Sequence, residues 1–421
     1  MLKILPFVFA ITIFTASATA ECLITNDTMS PAVLTANQKS CLLQAHFLIQ
    51  QPNPAAADFR EHLITPENSE GLINGKPIHC RYVYQQQNGA SAKFRCALTN
   101  EDNQLYDEDG VLAAAARQFI TEEDDVFLAD SSGAKLASTK KSGKFRKAQI
   151  LKVRYTKLDG RNVENYTSSA ASRVLWAMGV ASHRNIMTEK ISCFGCSKDP
   201  FKGQKAPVIQ AGKYAVEIFP EASIELKFSG KRLYSPLEKP WDWAQLSSLR
   251  KQLSVDQIVQ AEIFALVTHF LTFTSTNSLQ NALVCTVKSK TNSNHCETVV
   301  AMSHDIGAAF GTRIGTANGK DHPRGDIVAY RKNSIFKKGT CEFAYTKTDG
   351  TLPVKISEQA RSEFLERTKI LDYETLRIII TASKLSRLNL NLAQNDINVA
   401  DDLWVKAITE KIQEVASASC K

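Results

Sequence analysis

Residues 281–311 read NALVCTVKSKTNSNHCETVVAMSHDIGAAFG. Apolar and polar residues alternate on both sides of a Lys/Ser/Asn-rich middle, the pattern of a two-stranded hairpin with a polar turn. Pairing across such a turn sets Cys285 opposite Cys296. The second strand runs out into His304, Asp305 and the glycines Gly307 and Gly311. A carboxylate at a strand end, ahead of a glycine turn, presents a metal ligand well, because hard cations take carboxylate oxygens. The competing reading is that Asp305 only caps a turn.

Moving outward, the first twenty residues, MLKILPFVFAITIFTASATA, carry one early lysine, an apolar core and Ala18-Thr19-Ala20. That is the form of a signal peptide with an A-x-A-like cleavage site, so residues 1–20 are expected to be removed. The expected location is periplasmic or secreted, with no transmembrane segment after cleavage. Of 421 residues, 22% are charged and 43% hydrophobic, which is ordinary globular composition and enough for a sizeable core. The formal net charge of +8 is modest for that length. Its densest basic cluster, STKKSGKFRK (residues 138–147), sits in a Ser/Gly-rich setting with a single aromatic and no repeated interleaving, which argues against a nucleic-acid partner.

All ten cysteines follow the leader. In an exported chain an even number favours disulfides. HCRYVYQQQNGASAKFRCAL forms two alternating runs around Asn88-Gly89, so Cys80 and Cys96 face each other across a hairpin, as Cys285 and Cys296 do. SCFGCSKDPF holds the one C-x-x-C, Cys193 and Cys196. A redox pair would want a helix N-terminus and a zinc site two more ligands, whereas an exported setting favours a structural staple. Cys22, Cys41, Cys341 and Cys420 have no pairing legible in the sequence.

The spacing predicts a helical N-terminal extension over 21–75, including ANQKSCLLQAHFLIQQ. A β-rich region follows over 76–235, with an acidic-then-basic insertion at 100–147 that contains a short helix, VLAAAARQFI. AQILKVRYTKLDG is a strand with Lys152 and Arg154 on one face, and YTSSAASRVLWAMG a helix capped by Thr167 or Ser168 and ended by Gly179. From 236 to 421 the pattern is mainly helical: a long helix opened by Ser254, the polar loop STNSLQN, the cysteine hairpin, an irregular stretch over 312–352 and three closing helices. The fold class is therefore α+β, with a mixed β/α N-terminal half, a mainly helical C-terminal half and disulfide bracing.

That order of parts resembles the protein-kinase-like superfamily, including its lipid-kinase-like and HipA-like branches. Short stretches also resemble a group of bacterial exported proteins. The resemblance implies a two-lobed architecture in which a strand lysine holds phosphates, a helix glutamate holds the lysine, and an Asn and an Asp-x-Gly hold magnesium. Lys152 in ILKVRY matches the lysine. Asp305 in HDIG matches the metal Asp, and Asn281 or Gln280 the second metal ligand. The helix departs from the pattern, offering Ser168 and Ser169 where the glutamate belongs, with Glu164 ahead of it. FTSTNSLQN supplies Ser275 or Thr276 where the catalytic Asp belongs, and a hydroxyl is no carboxylate base at neutral pH. His269, about one helical turn earlier, is the candidate substitute, against the alternative of a helix-end core histidine. The implied cofactors are magnesium and a nucleotide, and the implied function is binding of a nucleotide, another phosphate-bearing ligand or an envelope partner by a catalytically degenerate kinase-like protein.

The alternative is a periplasmic hydrolase or other enzyme acting on envelope polymer. No G-x-S-x-G, H-E-x-x-H or S-x-x-K set supports it. Glu217, Glu221, Asp242 and Asp305 cannot be paired as glycosidase acids from the sequence. DHPRGD (residues 321–326) with His304 would be its metal cluster. KPWDWAQL would be its sugar platform, against the alternative of a hydrophobic anchor joining the halves.

Overall fold

The computed structural model describes residues 21–24, 35–55, 57–59, 77–84, 91–105, 119–120, 146–147, 150–156, 162–202, 204–233, 241–272, 281–292, 294–303, 306–311, 324–344 and 355–420. The chain enters through helix α1 (Ala36–Leu43) and the short strand β1 (Ala45–His46). Strands β2 (Ile78–Val83) and β3 (Lys93–Thr99) follow, then the paired two-residue strands β4 (Phe119–Ile120) and β5 (Arg146–Lys147), and β6 (Ile150–Arg154), which leads to helix α2 (Val163–Ala177). Next come β7 (Ala181–Ser182), β8 (Arg184–Met187), β9 (Lys190–Phe194), β10 (Ile209–Gln210), β11 (Lys213–Tyr214), β12 (Val216–Pro220), β13 (Ser223–Leu226) and β14 (Lys231–Arg232). Helices α3 (Trp243–Ser248) and α4 (Val255–Phe270) lead into the hairpin β15 (Asn281–Lys288) and β16 (Cys296–Ser303). Helices α5 (Ile327–Lys332), α6 (Glu358–Thr368), α7 (Tyr373–Ser383) and α8 (Ile397–Ala416) close the chain.

Two sheets organise these parts. The larger runs β12-β9-β2-β3-β6-β13-β8, and the smaller runs β1-β16-β15-β14 with β7 also on β16. Strand alternation gives the large sheet two unlike faces. One holds Ile78, Cys80, Tyr82, Phe94, Cys96, Leu151, Val153, Ile186, Ile191, Cys193, Phe219 and Ile224, an apolar layer that is its own core. The other carries Arg95, Lys152, Glu225 and Asn185 straight across β3, β6, β13 and β8. A second core joins α2, α4, α6, α7 and α8.

Helix α2 is sandwiched between β8 and α7, with nearly every side chain buried. Its small residues let the backbones approach closely, and its hydroxyls are satisfied inside the helix or just beyond it. Thr167 Oγ1 bonds to the carbonyls of Val163 and Gly307, and Ser172 Oγ to that of Ser169. Arg173, fully buried, donates to the carbonyls of Ser169, Asn185 and Phe59.

The α+β division and the disulfide bracing stand as the sequence predicts. Cys80–Cys96, Cys285–Cys296 and Cys193–Cys196 are all bonded, and Cys22–Cys41 and Cys341–Cys420 complete the set. Ser254 caps α4 in a full capping box. Four local expectations change. Helix α1 stops at Leu43, because Ala45 and His46 pair in parallel with Val299 and Val300. The cap of α2 is Asn162, not Thr167 or Ser168, whose hydroxyls bond back along the helix. The irregular stretch over 312–352 contains α5, capped by Asp326. The end of VLAAAARQFI is strand β4, and its start lies outside the described residues.

Candidate functional site

Lys152 sits mid-strand in β6, flanked by Leu151 and Val153 on the buried apolar face. Its ammonium therefore emerges on the opposite face, where it meets both oxygens of Glu225 at 3.1 and 3.0 Å, and the side chain as a whole is 15% exposed. Glu225 is its direct cross-strand partner on β13. Arg154, two residues along the same face, is buried and places Nη2 2.7 Å from Glu225 and Nη1 2.9 Å from the Asn185 side-chain oxygen. Burial alone would raise the Glu225 carboxyl, but Lys152 and Arg154, with His183 and Arg95 beyond them, hold it well below the usual carboxylate range.

The cluster continues into the helical half through Glu164. This residue lies in the first turn of α2, not ahead of the helix as the sequence pattern suggests. One carboxylate oxygen is 3.7 Å from Arg154 Nε and the other 2.5 Å from Arg324 Nη1. Glu164 also packs on Gly307, where a Cβ would stand 2.9 to 3.1 Å from its side chain. Thr167 donates to the Gly307 carbonyl at 2.6 Å. The first turn of α2 thus fixes the glycine turn that follows Asp305, and links it to the strand that carries Lys152.

The hairpin leads to the same turn from the other side. Asn281 is the direct partner of Ser303, two residues before Asp305. Its amide nitrogen donates to the Trp241 carbonyl at 3.3 Å, and the side chain is buried. Its remaining polar atom is an amide oxygen, a donor type that magnesium accepts. Gln280, His304 and Asp305 lie outside the described residues. Among the described residues no group of three or more His, Cys, Asp or Glu side chains forms a metal cluster.

Other candidates fall into structural roles. His269 is buried and stacks on Phe343 with ring centroids 3.7 Å apart. Asp242 and Asp326 cap α3 and α5. Glu221 accepts from Tyr166 at 2.8 Å and pairs with Arg387. Trp241 and Trp243 are fully buried against Phe264, so KPWDWAQL is an anchor and not a sugar platform. Arg324 of DHPRGD belongs to the Glu164 pair. The sequence reading missed Glu225 and Arg324, because each meets its partner through strand register or chain return, neither of which is local.

Gly307 offers a direct test of the link between the two halves. Gly307→Ala is expected to cost about 1–3 kcal/mol, since the new methyl must push the Glu164 side chain off Arg154 and Arg324. In the Glu164→Ala background the same change is expected to cost much less. Urea unfolding of the four variants measures the coupling, and strictly additive losses would refute the contact.

No protein-family profile and no curated protein matches this chain. Among solved structures, a Helicobacter pylori proinflammatory kinase, CtkA, is similar at 7% identity and a TM-score of 0.35, covering 80% of this chain and 93% of that one. At that identity and score it assigns no role to any residue here.

Proposed function

We propose that this chain is an exported kinase-like protein that binds a phosphate-bearing ligand, a nucleotide among the candidates, and has lost phosphoryl transfer. The observation that carries the reading is the placement of Lys152. Its ammonium is held by a carboxylate on one face of the large sheet, and the same charged cluster reaches the turn after Asp305. In this reading Glu225, from the neighbouring strand, does what a helix glutamate does in the kinase-like pattern: it fixes the lysine head in one position. Lys152 and Arg324, the partly exposed cations of the cluster, then offer charge-assisted donors to phosphate oxygens. Asp305 and the Asn281 amide oxygen would hold magnesium, which would supply screening of the phosphate charge. Loss of transfer follows from FTSTNSLQN, which has no carboxylate to take a proton from an acceptor hydroxyl. Five disulfides suit an oxidising compartment such as the periplasm.

The test is binding without turnover. Inorganic tripolyphosphate and magnesium-ATP are each titrated into the full chain by calorimetry, and thermal unfolding is followed in parallel. At a hundredfold excess over Kd the bound form is expected to gain about 2.7 kcal/mol. Lys152→Gln is expected to weaken binding at least tenfold, while phosphate release stays at the level of buffer. Wild-type affinity in Lys152→Gln would remove the lysine from the site. Magnesium-dependent phosphate transfer that disappears in Asp305→Ala would restore the active-kinase reading.

A further inference from the structure

Helices α5 and α8 and the 3-10 segment Leu385–Ala393 line an open cavity of about 560 Å³. Its apolar lining is Ile327, Val328, Leu392 and Leu403, and its polar lining is Arg331, Lys332 and Glu410. Two of these apolar side chains are unusually open: Val328 is 59% exposed and Leu392 46%. Both occupy outward positions, where a short amphipathic helix and a polar 3-10 turn ordinarily place polar residues. Ile327 and Tyr330 already supply the inward face of α5. Packing of the fold therefore does not require Val328 to be apolar.

The charges at this cavity are unequal. Arg331 closes on Glu410 through two parallel bonds of 2.7 and 2.8 Å, so that pair forms a neutral wall. Lys332, exposed at the end of α5, has no carboxylate partner among the described residues. An apolar cavity of this volume, within the usual range for small-ligand sites and carrying one uncompensated cation, suits a chain with an anionic head. A cationic head would lie against Lys332, and a purely apolar ligand would leave that ammonium unused.

We propose that the α5–α8 cavity binds a single-chain anionic amphiphile, a fatty carboxylate. The carboxylate pairs with Lys332, and the chain lies on Val328, Leu392 and Leu403. Calorimetry of the full chain with octanoate, decanoate and dodecanoate, each below its micelle concentration, tests this. Each added pair of methylenes is expected to tighten Kd about tenfold until the cavity is filled. Dodecyltrimethylammonium is expected to bind at least tenfold more weakly than dodecanoate. Lys332→Glu is expected to reverse that preference, and Leu392→Asp to abolish dodecanoate binding. Both substitutions are at exposed positions, and an unchanged urea midpoint verifies that each variant is folded. Equal binding of the two head groups, independence of chain length, or wild-type binding in Leu392→Asp would each overturn the proposal. Self-association that Leu392→Asp abolishes, with no dodecanoate binding, would assign the surface to a second copy of the chain and overturn it as well.

Discussion

Glu225→Gln is expected to destabilise the protein by about 3–5 kcal/mol, the usual cost of breaking a buried ion pair by removing one partner. Lys152 and Arg154 both close on this carboxylate, and Arg154 is only 2% exposed. The amide keeps the shape and loses the charge, so two cations keep their desolvation cost and lose their main compensation. The pH dependence has a definite sign. The folded carboxyl sits well below its ordinary value of 4.5, so the unfolded chain binds the proton more readily. The stabilisation is therefore fully present above about pH 4.5 and is lost as pH falls from there through the depressed folded value. Urea unfolding of wild type and Glu225→Gln at pH 7 and pH 3 measures it. The gap between them is expected to shrink at the lower pH, and a gap equal at both would show that ionisation of Glu225 is not its source. A Lys152→Met/Glu225→Gln double variant is expected to recover part of the loss, because it removes one of the stranded cations.

Glu225 also marks what the sequence makes legible and what it does not. Period-two alternation places Lys152 and Arg154 on the face opposite Leu151 and Val153, and the structure agrees. Their partner lies 73 residues away, brought alongside by the pairing of β13 with β6, and no local rule predicts which strands become neighbours. Helix α2 misleads for a different reason. Its run of hydroxyls looks like a choice of N-caps, but inside a buried helix those hydroxyls return to backbone carbonyls of the same turn. The true cap, Asn162, makes no side-chain cap bond, and misplacing the start leaves Glu164 outside the helix it belongs to. Helix α4 is legible because Ser254 and Gln257 form a reciprocal box before a strongly periodic run. The two hairpin disulfides are legible because alternation and a turn bring each pair onto neighbouring strands, although the register sets them diagonally, with Cys80 opposite Leu98 and Cys285 opposite Val299. Cys22–Cys41 and Cys341–Cys420 are not, since they depend on where separate elements pack.

Removing Cys341–Cys420 is expected to cost about 4.5 kcal/mol, the largest loss from any of the five bridges. Its two cysteines are 79 residues apart, against 3 for Cys193–Cys196, and the entropy a bridge removes from the unfolded chain grows with the loop it closes. The same relation gives the short bridge under about 2 kcal/mol. Non-reducing urea unfolding of Cys341→Ser/Cys420→Ser and Cys193→Ser/Cys196→Ser tests the ranking. Equal losses would mean that local packing, not loop closure, sets the value of both. The long bridge joins the segment after α8 to the fully buried Cys341, close in the chain to Phe336 and Phe343, which stack on each other. The end of α8 is held a second time by Arg361, which donates to the carbonyls of Val415 and Ala416. Without the bridge, hydrogen exchange is therefore expected to accelerate first in the last turns of α8 and in the 335–344 segment. Helix α2 packs on α7 and the 3-10 segment, which in turn pack on α8, and its first turn is tied independently to Arg154, Arg324 and Gly307. Its amides are expected to keep their protection, and with them the position of Glu164. Early loss of protection in α2 would show instead that the terminal bridge and the Lys152 cluster form one cooperative unit.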